Sequence, residues 1–154
     1  MIFSPYSDES EVINTIRKFR NEDYALLRMT FTMIDKNNLD ANSILRDLLY
    51  NWGLVDYEQL YHGGKFGISY NALFIQNGKT DVVRLKFYRV NNVRGDRRFS
   101  IEKIRKRMEK GEINEGDLLY ISIFRQSNGV PLIYFINLTH IEQNRCAMAC
   151  QGYA

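Results

Sequence analysis

The stretch FGISYNALFIQNGKTDVVRLKFYRV, residues 66–90, decides the fold. At its centre, Asn77-Gly78 separates two runs that are rich in aromatic and β-branched residues. Asn-Gly between two such runs is the strongest short-range signal for a β-hairpin, because both turn positions need positive φ angles. We therefore predict two antiparallel strands, 66–76 and 79–90, joined by a two-residue turn.

This turn also fixes which residues lie opposite each other. Gln76 faces Lys79, and counting outward places Tyr70 opposite Leu85. Because side chains alternate along a strand, the register predicts two unlike faces. The apolar face carries Phe66, Ile68, Tyr70, Ala72, Phe74, Val83, Leu85 and Phe87, with Asp81 opposite Phe74. The other face carries Ser69, Asn71, Leu73, Val82, Arg84, Lys86 and Tyr88.

A second hairpin is predicted further along the chain. Residues 118–125 and 131–138 flank Ser127-Asn128-Gly129, and both runs are apolar on their two faces. Such strands are typical of the centre of a sheet that is covered on both sides. Between the two hairpins we expect a polar loop over 91–98 and a basic helix over about 101–110, which Ser100 caps.

The residues before the first hairpin show apolar spacing that is typical of helices. Segments 8–20 and 22–36 are predicted as two helices, and a third begins at Asp40 or Asn42 and ends at Gly53. The predicted architecture is a single α+β domain over residues 1–154. It has N-terminal helices and two hairpins that form a mostly antiparallel sheet of about four strands, with the basic helix between them.

Composition restricts the class of protein. Of the 154 residues, 45% are hydrophobic, which is enough for one well-formed core. The first residues show no basic segment followed by an apolar run, so no signal peptide is predicted, and we expect no membrane association. Cys146 and Cys150 are the only cysteines, which does not suggest a disulfide framework. A cytoplasmic location is therefore expected.

Charge is concentrated in one segment, which we name the basic band, residues 84–110. It holds eleven Lys/Arg and three Asp/Glu, a net charge of +8 in a chain whose total is +3, so the other residues together carry −5. A cationic surface with an aromatic ring among its charges is typical of proteins that bind DNA or RNA. The predicted nucleic-acid-binding residues are Arg84, Lys86, Tyr88, Arg94, Arg97, Arg98, Lys103, Arg105, Lys106 and Arg107. Phe99 is a further candidate for stacking on a base.

An enzymatic alternative rests on topology. The predicted order of helix, β-hairpin, helix and strand over about 40–125 resembles the core of the PD-(D/E)XK nuclease fold. This resemblance implies a Mg²⁺-dependent endonuclease, with Asp81 and Lys86 as candidate catalytic residues. If the site has migrated, Glu58 or Asp56 is the candidate carboxylate. The chain departs from the family's motif at Arg84, because an acidic residue is expected two positions before Lys86.

The sequence is compatible with three other interpretations. The basic band could dock an acidic partner protein, as an interaction module or inhibitor. The segment HGGKFG, residues 62–67, could cradle a phosphate, but a flexible helix-to-strand connector is the favoured interpretation. His62, His140, Cys146 and Cys150 could hold zinc, but two buried thiols are the commoner reading. We therefore expect neither a metal site nor a cofactor, apart from Mg²⁺ if the protein is a nuclease.

Overall fold

A computed structural model describes residues 23–60, 67–76, 79–90 and 96–140 of the chain. Within these ranges the protein is a mixed α+β structure built on one seven-stranded sheet. The strands are β1 Tyr24–Arg28, β2 Leu39–Asp40, β3 Gly67–Gln76, β4 Lys79–Arg89, β5 Arg97–Ile101, β6 Leu118–Arg125 and β7 Pro131–Asn137. The helices are α1 Phe31–Lys36, α2 Ser43–Asn51, a 3-10 helix Tyr57–Gln59, and α3 Ile104–Glu109.

The strand order in the sheet is β1-β6-β7-β3-β4-β5-β2. Each neighbouring pair is antiparallel except β3 and β7, which run parallel and join the two predicted hairpins. The register predicted for the first hairpin is confirmed, with Gln76 opposite Lys79 and Tyr70 opposite Leu85. Pro131 begins β7, where its missing N–H interrupts no ladder.

The main core lies on one side of this sheet. Of the predicted apolar face of the first hairpin, Phe66 lies outside the described residues and Ile68 and Tyr70 are half-buried. The remaining apolar residues are buried there, namely Ala72, Phe74, Val83, Leu85 and Phe87, and Phe74 stacks on Phe135 with 4.7 Å between ring centroids. Helix α2 covers the same side with Leu45, Leu48 and Leu49. A second apolar cluster occupies the opposite side of β6 and β7, so both faces of the second hairpin are buried as predicted. Its buried residues are Ile75, Tyr120, Tyr134, Ile136 and Leu138.

The four-stranded sheet was wrong, because three further strands arise from segments that lack a local hairpin signal. The predicted helix over 22–36 contains β1, in which Ala25 and Leu27 are buried and Leu26 and Arg28 are exposed. This is the period of two that pairing with β6 imposes. Strand β2 lies after the predicted helix over 22–36 and just before Asn42. The predicted helix over 8–20 falls outside the described residues.

The segment after the first hairpin was also assigned wrongly. Residues of the predicted loop and of the predicted basic helix together form β5, which places Phe99 opposite Phe87 in the core. Phe99 is 1% exposed and cannot stack on a base from there. Helix α3 begins later, at Ile104, and its N-cap residue is Lys103 rather than Ser100. By contrast, Asn42 caps α2 as predicted, because its side chain accepts from the Leu45 N–H at 2.9 Å.

Candidate nucleic-acid interface

Three of the predicted binding residues lie on the side of the sheet away from the main core. Arg84, Lys86 and Tyr88 alternate with the buried core residues of β4. On β3, the exposed residues Asn71 and Ser69 lie opposite Arg84 and Lys86. We call the surface formed by Ser69, Asn71, Arg84, Lys86 and Tyr88 the strand face. It reproduces the displayed face that the hairpin register predicts.

The two cations of the strand face have no acidic partner among the described residues. Arg84 is exposed, and Lys86 is half-buried with its Nζ 6.0 Å from the centroid of the Tyr88 ring. Tyr88 is anchored, because its hydroxyl donates to Asn38 Oδ1 at 2.6 Å. Partial burial raises the pKa of Tyr88 above its usual value, so the hydroxyl keeps its proton at neutral pH.

The arginines of β5 and α3 are in a different state, because each of them pairs with a carboxylate. Arg97 pairs with Glu58 and Arg98 with Asp40. Arg105 lies 2.7 Å from Asp35. Arg107 donates to Asp81 at 2.9 Å and to Glu112 at 2.8 Å. All five of these acids lie outside the basic band, so folding brings part of the negative charge of the remaining chain onto it.

These pairs also divide the predicted site residues between two sides of the sheet. Arg98 lies opposite Tyr88 in the ladder, next to the strand face. Arg97 lies opposite Arg89 on the core side, where Glu58 of the 3-10 helix meets it. The hydrogen bond and the charge of Arg97 lower the pKa of Glu58, so this carboxylate is ionised at neutral pH. Arg94 falls outside the described residues.

The lysines that border α3 form a second group of exposed cations. Lys106 and the C-cap residue Lys110 are four residues apart, which places them on one side of the helix, and Lys103 precedes the helix as its N-cap. Ile104 is buried on another side of α3 and holds it to the core. Within the described ranges, none of the three lysines forms an ion pair.

The residues proposed for nuclease chemistry are not brought together. Asp81 lies on the core side of β4, where it pairs with Arg107, whereas Lys86 lies on the strand face. Glu58 is held by Arg97 at the 3-10 helix. The described part of the chain contains no group of three or more His, Cys, Asp or Glu side chains that could hold a metal ion. His140, the one described member of the zinc hypothesis, lies 3.9 Å from Asp117.

Two arginines that were not among the predicted site residues stand out in the structure. Arg89 is 7% exposed, and Arg46 of α2 is half-buried with its Nη1 bonded to Ala41 O at 2.8 Å. The position of Arg89 could have been found from the hairpin register, because it follows Leu85 and Phe87 at a spacing of two. The position of Arg46 beside the 3-10 helix depends on tertiary packing and has no such signal.

Comparison with known proteins adds no relative to these observations. No protein-family model, no curated protein and no solved structure matches the chain. Across the described ranges, no helix has both the length and the apolar character needed to cross a membrane.

Proposed function

We propose that this protein binds nucleic acid, and that the strand face is the centre of the binding surface. The observation that supports the proposal is that Arg84 and Lys86 are accessible cations without an acidic partner among the described residues. They project from the same face of β4. Phosphate groups are the partners that such cations attract most strongly, since binding releases the counterions condensed on the nucleic acid.

The geometry of a strand favours contact with more than one phosphate. Residues two apart on a strand are separated by about 6.6–6.8 Å. Arg84 and Lys86 can therefore engage separate phosphate groups along a backbone. Ser69 and Asn71, which lie beside them on β3, offer a hydroxyl and an amide that can donate to phosphate oxygens.

The exposed lysines of α3 extend the cationic surface beyond the sheet. Lys103, Lys106 and Lys110 have no acidic partner within the described part of the chain. The arginines Arg97, Arg98, Arg105 and Arg107 contribute less than their number suggests, because acids already engage them. The proposed interface is therefore smaller than the basic band and is defined by unpaired charges.

Fluorescence polarisation with labelled single-stranded DNA, duplex DNA and RNA of equal length tests the proposal. The double variant Arg84→Gln/Lys86→Gln should lower the slope of log K against log salt by about 1.4–1.8, which corresponds to two lost phosphate contacts. The matched control is Arg28→Gln/Arg125→Gln, which removes the same charge from exposed positions on β1 and β6. It should leave the slope unchanged.

Two results would contradict the proposal. One is the absence of salt-sensitive binding to all three probes at low ionic strength. The other is an equal loss of slope in the control, because that would show a response to net charge rather than to the strand face.

A further inference from the structure

Arg89 is buried without a counter-ion among the described residues. The residue is 7% exposed, its Nη1 donates to Tyr57 O at 3.4 Å, and its Nε has no hydrogen-bond partner in the described part of the chain. Burying a guanidinium is unfavourable unless an opposite charge and a full set of hydrogen bonds compensate for the lost hydration. A carbonyl at that distance supplies little of this compensation.

The surroundings of Arg89 add further positive charge. Arg97 lies directly opposite it in the ladder between β4 and β5, where two like charges destabilise the pair. Arg46 is also close, because its Nη1 donates to Ala41 O and the Ala41 N–H donates in turn to Arg97 O at 3.1 Å. The described carboxylates at the 3-10 helix are Glu58, which Arg97 already engages, and Asp56, which accepts from the Glu58 N–H at 3.1 Å. Three arginines and two carboxylates thus lie in this region.

We propose that Arg89 and Arg46 form a binding site for a phosphate group, either inorganic phosphate or a phosphomonoester, beside the 3-10 helix. The guanidinium group is suited to phosphate, because its planar array of donors matches two oxygens at once. A bound phosphate supplies the counter-charge that Arg89 and Arg46 lack among the described residues.

This site is separate from the strand face and does not depend on the proposed function. Arg89 follows Phe87 on the core side of β4, whereas Arg84, Lys86 and Tyr88 lie on the other side. Variants at one site should therefore leave the other intact, which makes the two proposals separable.

Thermal unfolding of the full chain provides the test, with chloride as the reference at matched ionic strength. At phosphate concentrations about ten times the dissociation constant, the melting temperature should rise by about 3–6 °C. A 5′-mononucleotide should give a similar rise and the corresponding nucleoside none. A rise with inorganic phosphate alone identifies the free ion as the ligand, and a larger rise with the mononucleotide identifies a phosphomonoester.

Matched variants separate specific binding from the general stabilisation that excluded salts produce. Arg46→Gln should abolish the phosphate-dependent rise, and so should Arg89→Met, whereas Arg84→Gln/Lys86→Gln should retain it. Arg46→Gln decides the matter even where Arg89→Met fails to fold. The proposal is overturned if neither phosphate nor the mononucleotide raises the melting temperature above chloride, or if Arg46→Gln shows the full rise.

Discussion

Arg107 Nη1 donates to Asp81 Oδ2 at 2.9 Å, which joins α3 to β4. The sequence suggested different roles for these two residues, nucleic-acid binding for Arg107 and metal-dependent catalysis for Asp81. In the structure they form an ion pair with each other. Arg107 also donates to Glu112, and its guanidinium carbon lies 5.4 Å from the centre of the Phe74 ring. Arg107 therefore stabilises the fold, and this contact uses the carboxylate that a metal would need.

Replacing Arg107 should accordingly destabilise the protein. The Arg107 side chain is 17% exposed, and its loss leaves the partly buried Glu112 carboxylate without its partner. We expect Arg107→Gln to lower the free energy of unfolding by about 1.5–3 kcal/mol, measured by urea denaturation. The control is Arg105→Gln, whose pair with Asp35 is exposed, so that its cost is about 0.2–1 kcal/mol. Equal costs for the two variants would contradict this role.

Ion pairing, rather than position in the basic band, should decide which cations contact phosphate. Arg84 and Arg98 lie on the same side of the sheet, but of the two only Arg98 has acidic partners among the described residues, Asp40 and Asp96. We expect Arg84→Gln to lower the slope of log K against log salt by about 0.7–0.9 and Arg98→Gln to leave it unchanged. A decrease of the slope in Arg98→Gln as large as that in Arg84→Gln would contradict this prediction, because it would show that the ion pairs of Arg98 open on binding.

The contrast between these arginines shows how far the sequence could predict the site. The two faces of the first hairpin followed from Asn77-Gly78, since the length of a tight turn fixes the register of both strands. The partners Glu58 and Asp40 could not be found in this way, because they lie 39 and 58 positions before the arginines that they bind. The charge of a segment can be counted from the sequence, but its neutralisation depends on long-range packing.

For the fold too, local signals could be predicted from the sequence and long-range pairing could not. Both hairpins were predicted because each contains its own turn signal. Strand β1 pairs with β6, about ninety residues away, with Tyr24 opposite Ser122. Its five residues have no nearby partner in the sequence, and their apolar content suggested a helix. Strand β5 was divided between a loop and a helix because its polar residues Arg97, Arg98 and Ser100 conceal the alternation of Phe99 and Ile101.

The hydroxyl of Tyr88 should contribute to stability but not to nucleic-acid binding. It donates to Asn38, and Tyr88→Phe leaves that amide oxygen without its donor. The expected cost is about 0.5–1.5 kcal/mol in the free energy of unfolding, with unchanged affinity for single-stranded DNA. A ring that stacks on a base keeps this ability in Tyr88→Phe and loses it in Tyr88→Leu. Unchanged affinity in Tyr88→Leu would remove Tyr88 from the proposed interface.

Glu58 should make the stability depend on pH below neutrality. Arg97 lowers its pKa in the folded state relative to the unfolded state, so the unfolded chain takes up a proton first as the pH falls. The resulting stabilisation is present above about pH 4.5 and is lost as the pH falls through the folded-state pKa. The difference in melting temperature between wild type and Glu58→Gln should therefore be largest near pH 6–7 and shrink below about pH 4.5.

Glu115→Gln, at an exposed position with no ion pair among the described residues, is the control. A difference that stays constant down to pH 3 would argue against the Glu58–Arg97 pair.

Replacing Arg89 should leave the free energy of unfolding unchanged or raise it, whereas replacing Arg107 should lower it, although Arg89 is the more deeply buried of the two. Arg107 compensates its burial with two carboxylates, whereas Arg89 has only the carbonyl of Tyr57 among the described residues. In a phosphate-free chloride buffer, Arg89→Met removes an uncompensated charge and keeps an apolar side chain of similar length. We therefore expect its free energy of unfolding to lie within about 1 kcal/mol of wild type, or above it, by urea denaturation.

Adding phosphate should then stabilise the wild type relative to Arg89→Met, because only the wild type has both guanidinium groups that donate to the phosphate. A loss of several kcal/mol in chloride would instead show that Arg89 stabilises the fold without a ligand, and the excess positive charge beside the 3-10 helix would then no longer point to a phosphate site.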